Sequence, residues 1–253
     1  MSVFDFSGKK ALVTGANRGM GFSVAKKFYE AGADVVLLDI TEHVVESAAS
    51  IDPSGERTHG VVGDISKLDE IETVFNECLE KLGGEIDILI NCAGISRRGV
   101  CEDYPLSDWE AVMNVNASGL FFMCKLAGKE MLKKGSGKII NFASMLSFFG
   151  SGSSIAYSAS KGAVAQITKS LCIAWGAKGL NVNAVAPGWV ETELTGPLRQ
   201  NKEKTAGISK RIPMVRWADP DTDIAGPVLF LASDQAKYIN GAVIPIDGGY
   251  AAF

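Results

Sequence analysis

A glycine-rich segment near the start of the chain reads Thr14-Gly15-Ala16-Asn17-Arg18-Gly19-Met20-Gly21, or TGANRGMG. It directly follows the apolar run at residues 10–13, and a helical pattern begins at its end, which places the glycines in a strand-to-helix turn. There Gly15 permits a tight bend, Gly19 lets a pyrophosphate approach the backbone, and Gly21 allows close helix packing. The amino terminus of the helix adds N–H donors and a positive dipole. The stretch therefore predicts a dinucleotide site at the first turn of an α/β domain.

Seven short apolar runs alternate with helical patterns along the chain. This alternation predicts a Rossmann-like, doubly wound, seven-stranded parallel sheet. Since no internal repeat and no low-complexity linker interrupts the sequence, we expect a single domain over residues 1–253. The runs lie at residues 10–13, 34–38, 58–62, 86–90, 138–142, 182–186 and 242–246.

One long stretch without a clear period follows the sixth strand, at about residues 189–217. It carries Gly196, Pro197, Gly207 and Pro213, which favour irregular structure. Long ordered loops in compact domains are often functional, and at this edge of a sheet they can close over a substrate. We therefore predict a lid; the alternative is a variable surface loop.

Tyr157 and Lys161 stand four residues apart in the sequence YSASK. Residues at this spacing share one face of a helix, so both side chains can act on the same ligand. A free tyrosine titrates near pH ~10, and a neighbouring ammonium together with a positively charged nicotinamide would lower that pKa. Ser144 follows the fifth strand, at the edge where open parallel sheets bind ligands. A Tyr/Lys pair alone is an ordinary surface pair, but the three together predict a nicotinamide-dependent oxidoreductase.

The second strand ends at Asp39. A carboxylate in this place accepts hydrogen bonds from the adenosine ribose and repels a 2'-phosphate, which favours NAD over NADP. Arg18 favours the opposite choice, because a guanidinium in the glycine-rich turn can pair with a 2'-phosphate. We weigh Asp39 more heavily, since an exposed flexible arginine recovers little of the cost of opposed charges.

Small and polar residues follow the third and fourth strands. Asp64 could bind the adenine, and the segment Asn91-Cys92-Ala93-Gly94 could admit the cofactor, although both also suit ordinary turns. Asn116 lies within a helical run, where asparagine is unfavourable without a local or ligand-related reason, and we expect it to be functional.

Composition excludes several other functions. The chain has 253 residues and a net charge of -4, without the basic patch that nucleic-acid binding requires. Its beginning lacks the pattern of a secretory signal, and no apolar run reaches membrane-spanning length. The five cysteines form no CxxC pair and suit free thiols in a reducing compartment, so we expect a cytoplasmic protein. Two histidines without neighbouring ligands predict no metal site.

These motifs, together with NCAG, Pro187-Gly188 and IDGG at residues 246–249, resemble the short-chain dehydrogenase/reductase family over essentially the whole chain. The resemblance implies that Tyr157 exchanges the substrate proton, Ser144 binds the reacting oxygen, and Lys161 binds the nicotinamide ribose and lowers the tyrosine pKa. Asn116 would support a water relay to Lys161. The cofactor-binding residues that we predict are Gly15, Asn17, Arg18, Gly19, Met20, Gly21, Asp39, Ile40, Asp64, Ile65, Asn91, Ala93, Gly94, Tyr157, Lys161, Pro187, Gly188, Val190 and Thr192.

Several segments are similar to the sugar-acid dehydrogenases of that family, which act on gluconate or 2-dehydro-3-deoxy-gluconate. A guanidinium fork suits a carboxylate, and two arginines follow the fourth strand while a third lies in the lid. The substrate residues that we predict are Arg97, Arg98, Ser144, Met145, Trp189 and Arg199. The alternative for each arginine is a solvated surface charge.

Two other functions stay open at this point. One is an NADPH-dependent reductase of 3-oxoacyl groups or other ketones, and the other is a non-catalytic, nucleotide-sensing member of the fold. The family resemblance further implies a homotetramer, formed partly by the helices after Asn116 and Tyr157. An apolar helix face would look the same if it were buried within one subunit.

Overall fold

The computed structural model describes residues 4–252, except for the side chains of Leu194, Pro197 and Lys204. Its centre is a seven-stranded parallel sheet with the order β3-β2-β1-β4-β5-β6-β7. This confirms the predicted fold class, and every predicted strand lies within two residues of an observed one. The strands are β1 (Lys10–Thr14), β2 (Asp34–Asp39), β3 (Thr58–Val62), β4 (Ile88–Asn91), β5 (Gly137–Phe142), β6 (Leu180–Pro187) and β7 (Val243–Ile246).

Helices cover both faces of the sheet, because each crossover between parallel strands returns on one face or the other. The helices are α1 (Gly19–Glu30), α2 (His43–Ile51), α3 (Ile71–Lys81), α4 (Leu106–Met113), α5 (Leu120–Lys134), α6 (Ile155–Trp175), α7 (Gly196–Arg199), α8 (Lys202–Arg211) and α9 (Ala225–Ala232). None of the described helices is long and apolar enough to cross a membrane.

Two apolar layers hold the sheet. Alternate strand residues such as Val13 and Leu37 pack with α1, α2 and α9, whereas Leu12 and Val36 on the other face pack with α3, α5 and α6. Because β-branched and leucine side chains fill both faces, the central strands are buried throughout. The strand order reverses at β1, between β2 and β4, which opens a crevice at their carboxyl ends.

The predicted lid is more regular than the sequence indicated. Residues 189–217 contain α7 and α8, so the expectation of an irregular stretch was wrong. Gly196 opens α7, with a proline in its first turn, where a missing N–H costs nothing. Gly207 lies inside α8 and is exposed, at a cost of only about 1 kcal/mol.

Candidate active site

A cleft of about 300 Å³ lies over the carboxyl ends of β1, β2 and β4. It is lined by most of the residues predicted to bind the cofactor. These are Gly15, Asn17, Arg18, Gly19, Met20, Gly21, Asp39, Ile40, Asp64, Ile65, Ala93 and Gly94, with Thr192 from the lid. The described glycine-rich turn therefore lies in the crevice that a dinucleotide would occupy.

Two glycines of the turn are required by its geometry. Gly15 has φ +65°, and a Cβ there would lie 2.5 Å from Cα of Ala93. A Cβ on Gly21 would lie 2.2 Å from the carbonyl oxygen of Gly15. Any larger residue would push the turn away from β4 or unwind the start of α1. The narrow backbone cradle is thus built by the sequence itself, and its exposed N–H groups suit a pyrophosphate.

Asp39 is fixed at the ribose end of the cleft. Its carboxylate accepts hydrogen bonds from the backbone N–H of Asn17 at 3.1 Å, and from the N–H and hydroxyl of Thr41, both at 3.2 Å. Arg18 lines the same end of the cleft and is exposed. Asp64 also lines the cleft, while its carboxylate accepts from the N–H and hydroxyl of Ser66. Asp64 therefore both stabilises a local turn and lines the cleft.

Asn91 does not line the described cleft, and its contact with the cofactor stays a prediction. Its side-chain amide is buried beneath the sheet edge and donates to Oδ1 of Asn141 at 2.9 Å and to Sγ of Cys124 at 3.1 Å. Asn141 in turn donates to the hydroxyl of Thr168 at 3.0 Å. Asn91 is the last residue of β4, and the alternation along the strand turns it toward α5 and α6.

A second cavity of about 490 Å³ adjoins the cleft and shares Met20, Cys92, Gly94 and Thr192 with it. This cavity brings together Ser144, Tyr157 and Lys161, as the sequence predicted. The wall also contains the predicted residues Arg98, Met145, Pro187, Gly188, Trp189 and Val190. A cofactor in the cleft would therefore reach the predicted catalytic residues at the shared boundary.

Ser144 leaves β5 in an extended conformation and is buried. Its hydroxyl oxygen accepts from the N–H of Leu146 at 3.2 Å, which leaves its proton free to point elsewhere. The Ser144 hydroxyl lowers the pKa of Tyr157. Both side chains line the cavity.

Lys161 is buried one helical turn beyond Tyr157 on α6. Its ammonium donates to the carbonyl oxygen of Phe142 at 2.6 Å and lies 5.6 Å from the centroid of the Tyr157 ring. Burial lowers the pKa of Lys161 to about 8, because the charged form loses its hydration. Lys161 therefore supplies a titratable ammonium at the boundary of the cleft and the cavity.

The pKa of Tyr157 is raised, not lowered, in this structure. Burial is the main cause, and it outweighs the hydrogen bond from Ser144. The prediction of a lowered pKa was wrong for the protein alone, because burial has the larger effect. The positive charge of a nicotinamide, which was also expected to lower the pKa of Tyr157, would act only when the cofactor is bound.

Asn116 is buried within a π-helical segment, Asn114–Gly119, that joins α4 to α5. Its Oδ1 accepts from the N–H of Ile95 at 2.9 Å, and its Nδ2 donates to the carbonyl of Ile95 at 2.9 Å and to the hydroxyl of Ser160 at 3.0 Å. The side chain therefore clamps the loop after β4 to α6. A Cβ on Gly94 would meet both Asn116 and Lys161 within 3.5 Å, so the three residues lie together.

The three predicted arginines have different positions. Arg98 lines the substrate cavity, and the ion pairs among the described residues do not include it. Arg97 lies 3.9 Å from Asp108 and does not line the described cavity. Arg199 lies 3.5 Å from Glu191 and donates to the carbonyl of Thr192, also outside the described lining. Arg97 and Arg199 each lie near a carboxylate and outside the described lining, and their contact with a substrate stays a prediction.

Some residues of the site were not predicted from the sequence. Leu146, Ser154, Thr195 and Leu198 line the cavity, and Thr14 accepts a hydrogen bond from the N–H of Ala93 across the cleft floor at 3.2 Å. Thr14 ends β1 and could have been inferred from its place in the turn. Leu146 and Thr195 lie in short 3-10 turns, Ser154 in a loop and Leu198 in α7, and no local pattern marks them.

Comparisons with known proteins agree with this geometry. A family model described as enoyl-(acyl carrier protein) reductase matches residues 15–251. A 2-dehydro-3-deoxy-D-gluconate 5-dehydrogenase of Bacillus subtilis is 43% identical over 247 residues, with 98% of this chain and 96% of the relative covered. An NAD-dependent glycerol dehydrogenase of Listeria innocua is 41% identical over 252 residues, with 98% and 95% covered.

Solved structures show the same fold. A gluconate 5-dehydrogenase from Burkholderia cenocepacia, in complex with NADP and tartrate, is 35% identical. It superposes with a TM-score of 0.93, and the match covers 99% of this chain and 98% of that one. Similarity thus extends over the whole length of the chain, through the cleft, the cavity and the lid.

Proposed function

The chain belongs to the short-chain dehydrogenase/reductase family, and we propose that it is an NAD-dependent dehydrogenase of a sugar acid of the gluconate or 2-dehydro-3-deoxy-gluconate type. The observation that carries the proposal is the placement of Ser144, Tyr157 and Lys161 together in the wall of a cavity that adjoins the dinucleotide cleft. The reaction is the reversible oxidation of a secondary alcohol to a ketone.

Each residue of the set has a task that its surroundings support. Tyr157 takes the proton of the substrate hydroxyl during oxidation and returns it during reduction. Ser144 would donate its one hydroxyl proton to the reacting oxygen when substrate is bound, while the N–H of Leu146 occupies one acceptor site of that hydroxyl. Lys161 binds the nicotinamide ribose, and the nicotinamide, when bound, accepts or returns the hydride.

The residues present fit such a cofactor. The cleft is lined by the glycine-rich turn, whose close backbone packing leaves no room for a Cβ at Gly15 or Gly21, and Asp39 lines it too. Asp39 supports NAD, since three hydrogen bonds hold its carboxylate where a 2'-phosphate would approach. Arg18 and the NADP in the similar gluconate 5-dehydrogenase support the opposite preference.

Arg98 supports an acidic substrate. It is the predicted arginine that lines the cavity, and it lacks the ion pairs that occupy Arg97 and Arg199. A guanidinium binds a carboxylate through two parallel hydrogen bonds, which would orient a sugar acid by one end. The hydroxyl to be oxidised would then lie near Ser144 and Tyr157.

A second candidate is the oxidation of a neutral polyol, as named for the similar glycerol dehydrogenase. The apolar wall formed by Met145, Trp189 and Leu198 would serve a smaller or less polar substrate. In that case Arg98 would remain a solvated surface charge.

The test is the reduction of NAD and NADP, followed by the absorbance of the reduced nicotinamide, on sugar acids, matched neutral sugars and simple secondary alcohols. We expect activity with NAD on the sugar acids. Activity with neutral polyols alone would contradict the proposed sugar-acid substrate but would leave the proposed dehydrogenase reaction standing. No turnover with any alcohol or ketone would favour a nucleotide-sensing protein.

The proposal includes a homotetramer. Exposed apolar side chains on α5 and α6 support it, including Phe121 at 38% exposure and Ile173 at 84%. Light scattering coupled to size-exclusion chromatography gives the mass directly, and a monomer of 26.8 kDa would contradict this part of the proposal.

A further inference from the structure

We propose that Ser147 is a positioning residue that fixes Ser144 relative to the helix carrying Tyr157 and Lys161. The inference rests on the function proposed above and adds a residue to its machinery. Ser147 does not touch the reacting atoms, and it lies on neither β5 nor α6.

The hydroxyl of Ser147 joins the main chain of two catalytic residues. It donates to the carbonyl oxygen of Lys161 at 2.6 Å and accepts from the N–H of Ser144 at 3.3 Å. The chain between the serines makes one 3-10 turn, closed by a bond from the N–H of Ser147 to the carbonyl of Ser144 at 2.8 Å. Ser144 and Ser147 are therefore held as one unit against α6.

The bond from Ser147 to α6 differs from a second hydrogen bond that holds α6 beside the end of β5. The ammonium of Lys161 also joins α6 to β5, through the carbonyl of Phe142. That bond uses the group that must bind the cofactor ribose, so catalysis competes with it. The bond from Ser147 uses only the main chain of Lys161 and stays available while the ammonium is engaged.

Ser147 acts on the chemistry through Ser144. Ser144 and Tyr157 line the same cavity, and the Ser144 hydroxyl lowers the pKa of Tyr157, which favours the phenolate that accepts the substrate proton. If the Ser144 turn shifts away from α6, this hydroxyl moves away from Tyr157, which then holds its proton to higher pH. A displaced turn also moves the hydroxyl that binds the reacting oxygen, which lowers kcat more than it changes cofactor affinity.

The experiment compares Ser147→Ala with Ser147→Thr, which keeps the hydroxyl. Ser233→Ala is the matched control, because it removes a similar bond of 2.7 Å, from a serine hydroxyl to the carbonyl of Phe230, far from the site. Titration of Tyr157 is followed by phenolate absorbance, as the difference between each variant and the same variant with Tyr157→Phe. This readout needs no substrate. Turnover and NAD affinity are measured beside it.

We expect Ser147→Ala to move the titration of Tyr157 to higher pH and to lower kcat about tenfold, since small displacements of positioned groups are costly. NAD affinity should not change, and Ser147→Thr should restore both properties. Where the alanine variant does not fold, Ser147→Cys keeps the size of the side chain with weaker hydrogen bonds, and the same direction is expected.

Three results would separate the possibilities. A wild-type titration and wild-type kcat in Ser147→Ala would overturn the role of Ser147. So would a loss of kcat without a shift in titration and without rescue by threonine, because that pattern marks a purely structural serine. Near-normal turnover of Tyr157→Phe would overturn the proposed function instead. In that case the pH at which Tyr157 titrates in the Ser147 variants would still show whether Ser147 acts on Tyr157.

Discussion

The cofactor side and the lid side of the catalytic face are built in different ways. On the cofactor side, the ends of buried strands supply the groups, and the carboxylate of Asp39 is fixed by three hydrogen bonds. On the lid side, the indole N–H groups of Trp189 and Trp217 are buried without an acceptor among the described residues, and their rings lie 5.3 Å apart. Val215 adds a φ of +55°, which is unfavourable for a β-branched residue.

The difference shows that the sequence specifies the cofactor side and the lid side in different ways. Under the proposed function, backbone geometry specified by glycines and strand ends would bind the dinucleotide, and side chains from several segments would bind the substrate. The lid side carries strain at Val215 and two unpaired indole donors, each worth about 1–3 kcal/mol. We therefore expect changes on the two sides to have separable effects.

The largest effect is expected at the boundary between the two sides. Tyr157→Phe should retain NAD binding and lose turnover by about 10²–10⁴-fold, because the acid-base group is removed while the cleft stays intact. Steady-state kinetics and a fluorescence titration with NADH measure the two properties. Tyr29→Phe, which removes a hydroxyl bonded to Asp52 on the opposite side of the fold, is the control. Parallel loss of binding and turnover would contradict the separation.

A stability effect is expected from the buried ammonium. Lys161 has its pKa lowered from 10.5 to about 8 in the folded chain, so the unfolded chain binds more protons between these values. The free energy of unfolding of the wild type should therefore rise with pH across this window, by about 2–3 kcal/mol. Lys161→Met should lack this rise. Denaturant unfolding of both proteins between pH 7 and 10 measures it, and equal slopes would show that Lys161 is not desolvated.

Asp39 and Arg18 line the same cleft, and we expect their substitutions to change the preference between NAD and NADP in opposite directions. Asp39→Ala should shift the ratio of kcat/KM values toward NADP by about tenfold, because the repulsion of a 2'-phosphate is removed. Arg18→Ala should shift the ratio toward NAD. If only Arg18→Ala changes the ratio, Arg18 is the discriminating residue and the preference for NAD fails.

The smallest effect is expected in the lid. Val215→Gly should raise the free energy of unfolding by about 1 kcal/mol, since glycine adopts positive φ without strain and the valine side chain is exposed. Val45→Gly, in the exposed part of α2, should destabilise the protein and is the control. A loss of stability in Val215→Gly would show that the backbone at this position is not strained.

Much of the fold could be predicted from the sequence because its signals are local. The seven strands are short apolar runs between turn residues, and the turn at residues 14–21 has glycines that backbone contacts require. The catalytic set was accessible for the same reason, since Tyr157 and Lys161 are related by helix geometry alone.

What the sequence did not predict depends on distant residues. Arg97 and Arg98 are adjacent in sequence, yet only Arg98 lines the cavity, because Asp108 on α4 draws Arg97 away. Asn91 turns toward Asn141 on the neighbouring strand. The direction of the Tyr157 pKa is set mainly by the depth of its burial, which depends on the packing of distant segments. None of these is visible in a single local pattern.

The most direct test of the central claim compares a sugar acid with its matched neutral polyol in the wild type and in Arg98→Ala, with Arg97→Ala as the adjacent control. We predict that Arg98→Ala lowers kcat/KM for the acid at least about tenfold, because a charged hydrogen bond is lost. The kcat/KM of Arg98→Ala for the polyol, and both values of Arg97→Ala, should stay near those of the wild type. Equal losses for acid and polyol, or a wild type that prefers the polyol, would contradict the assignment of this cavity to a sugar acid.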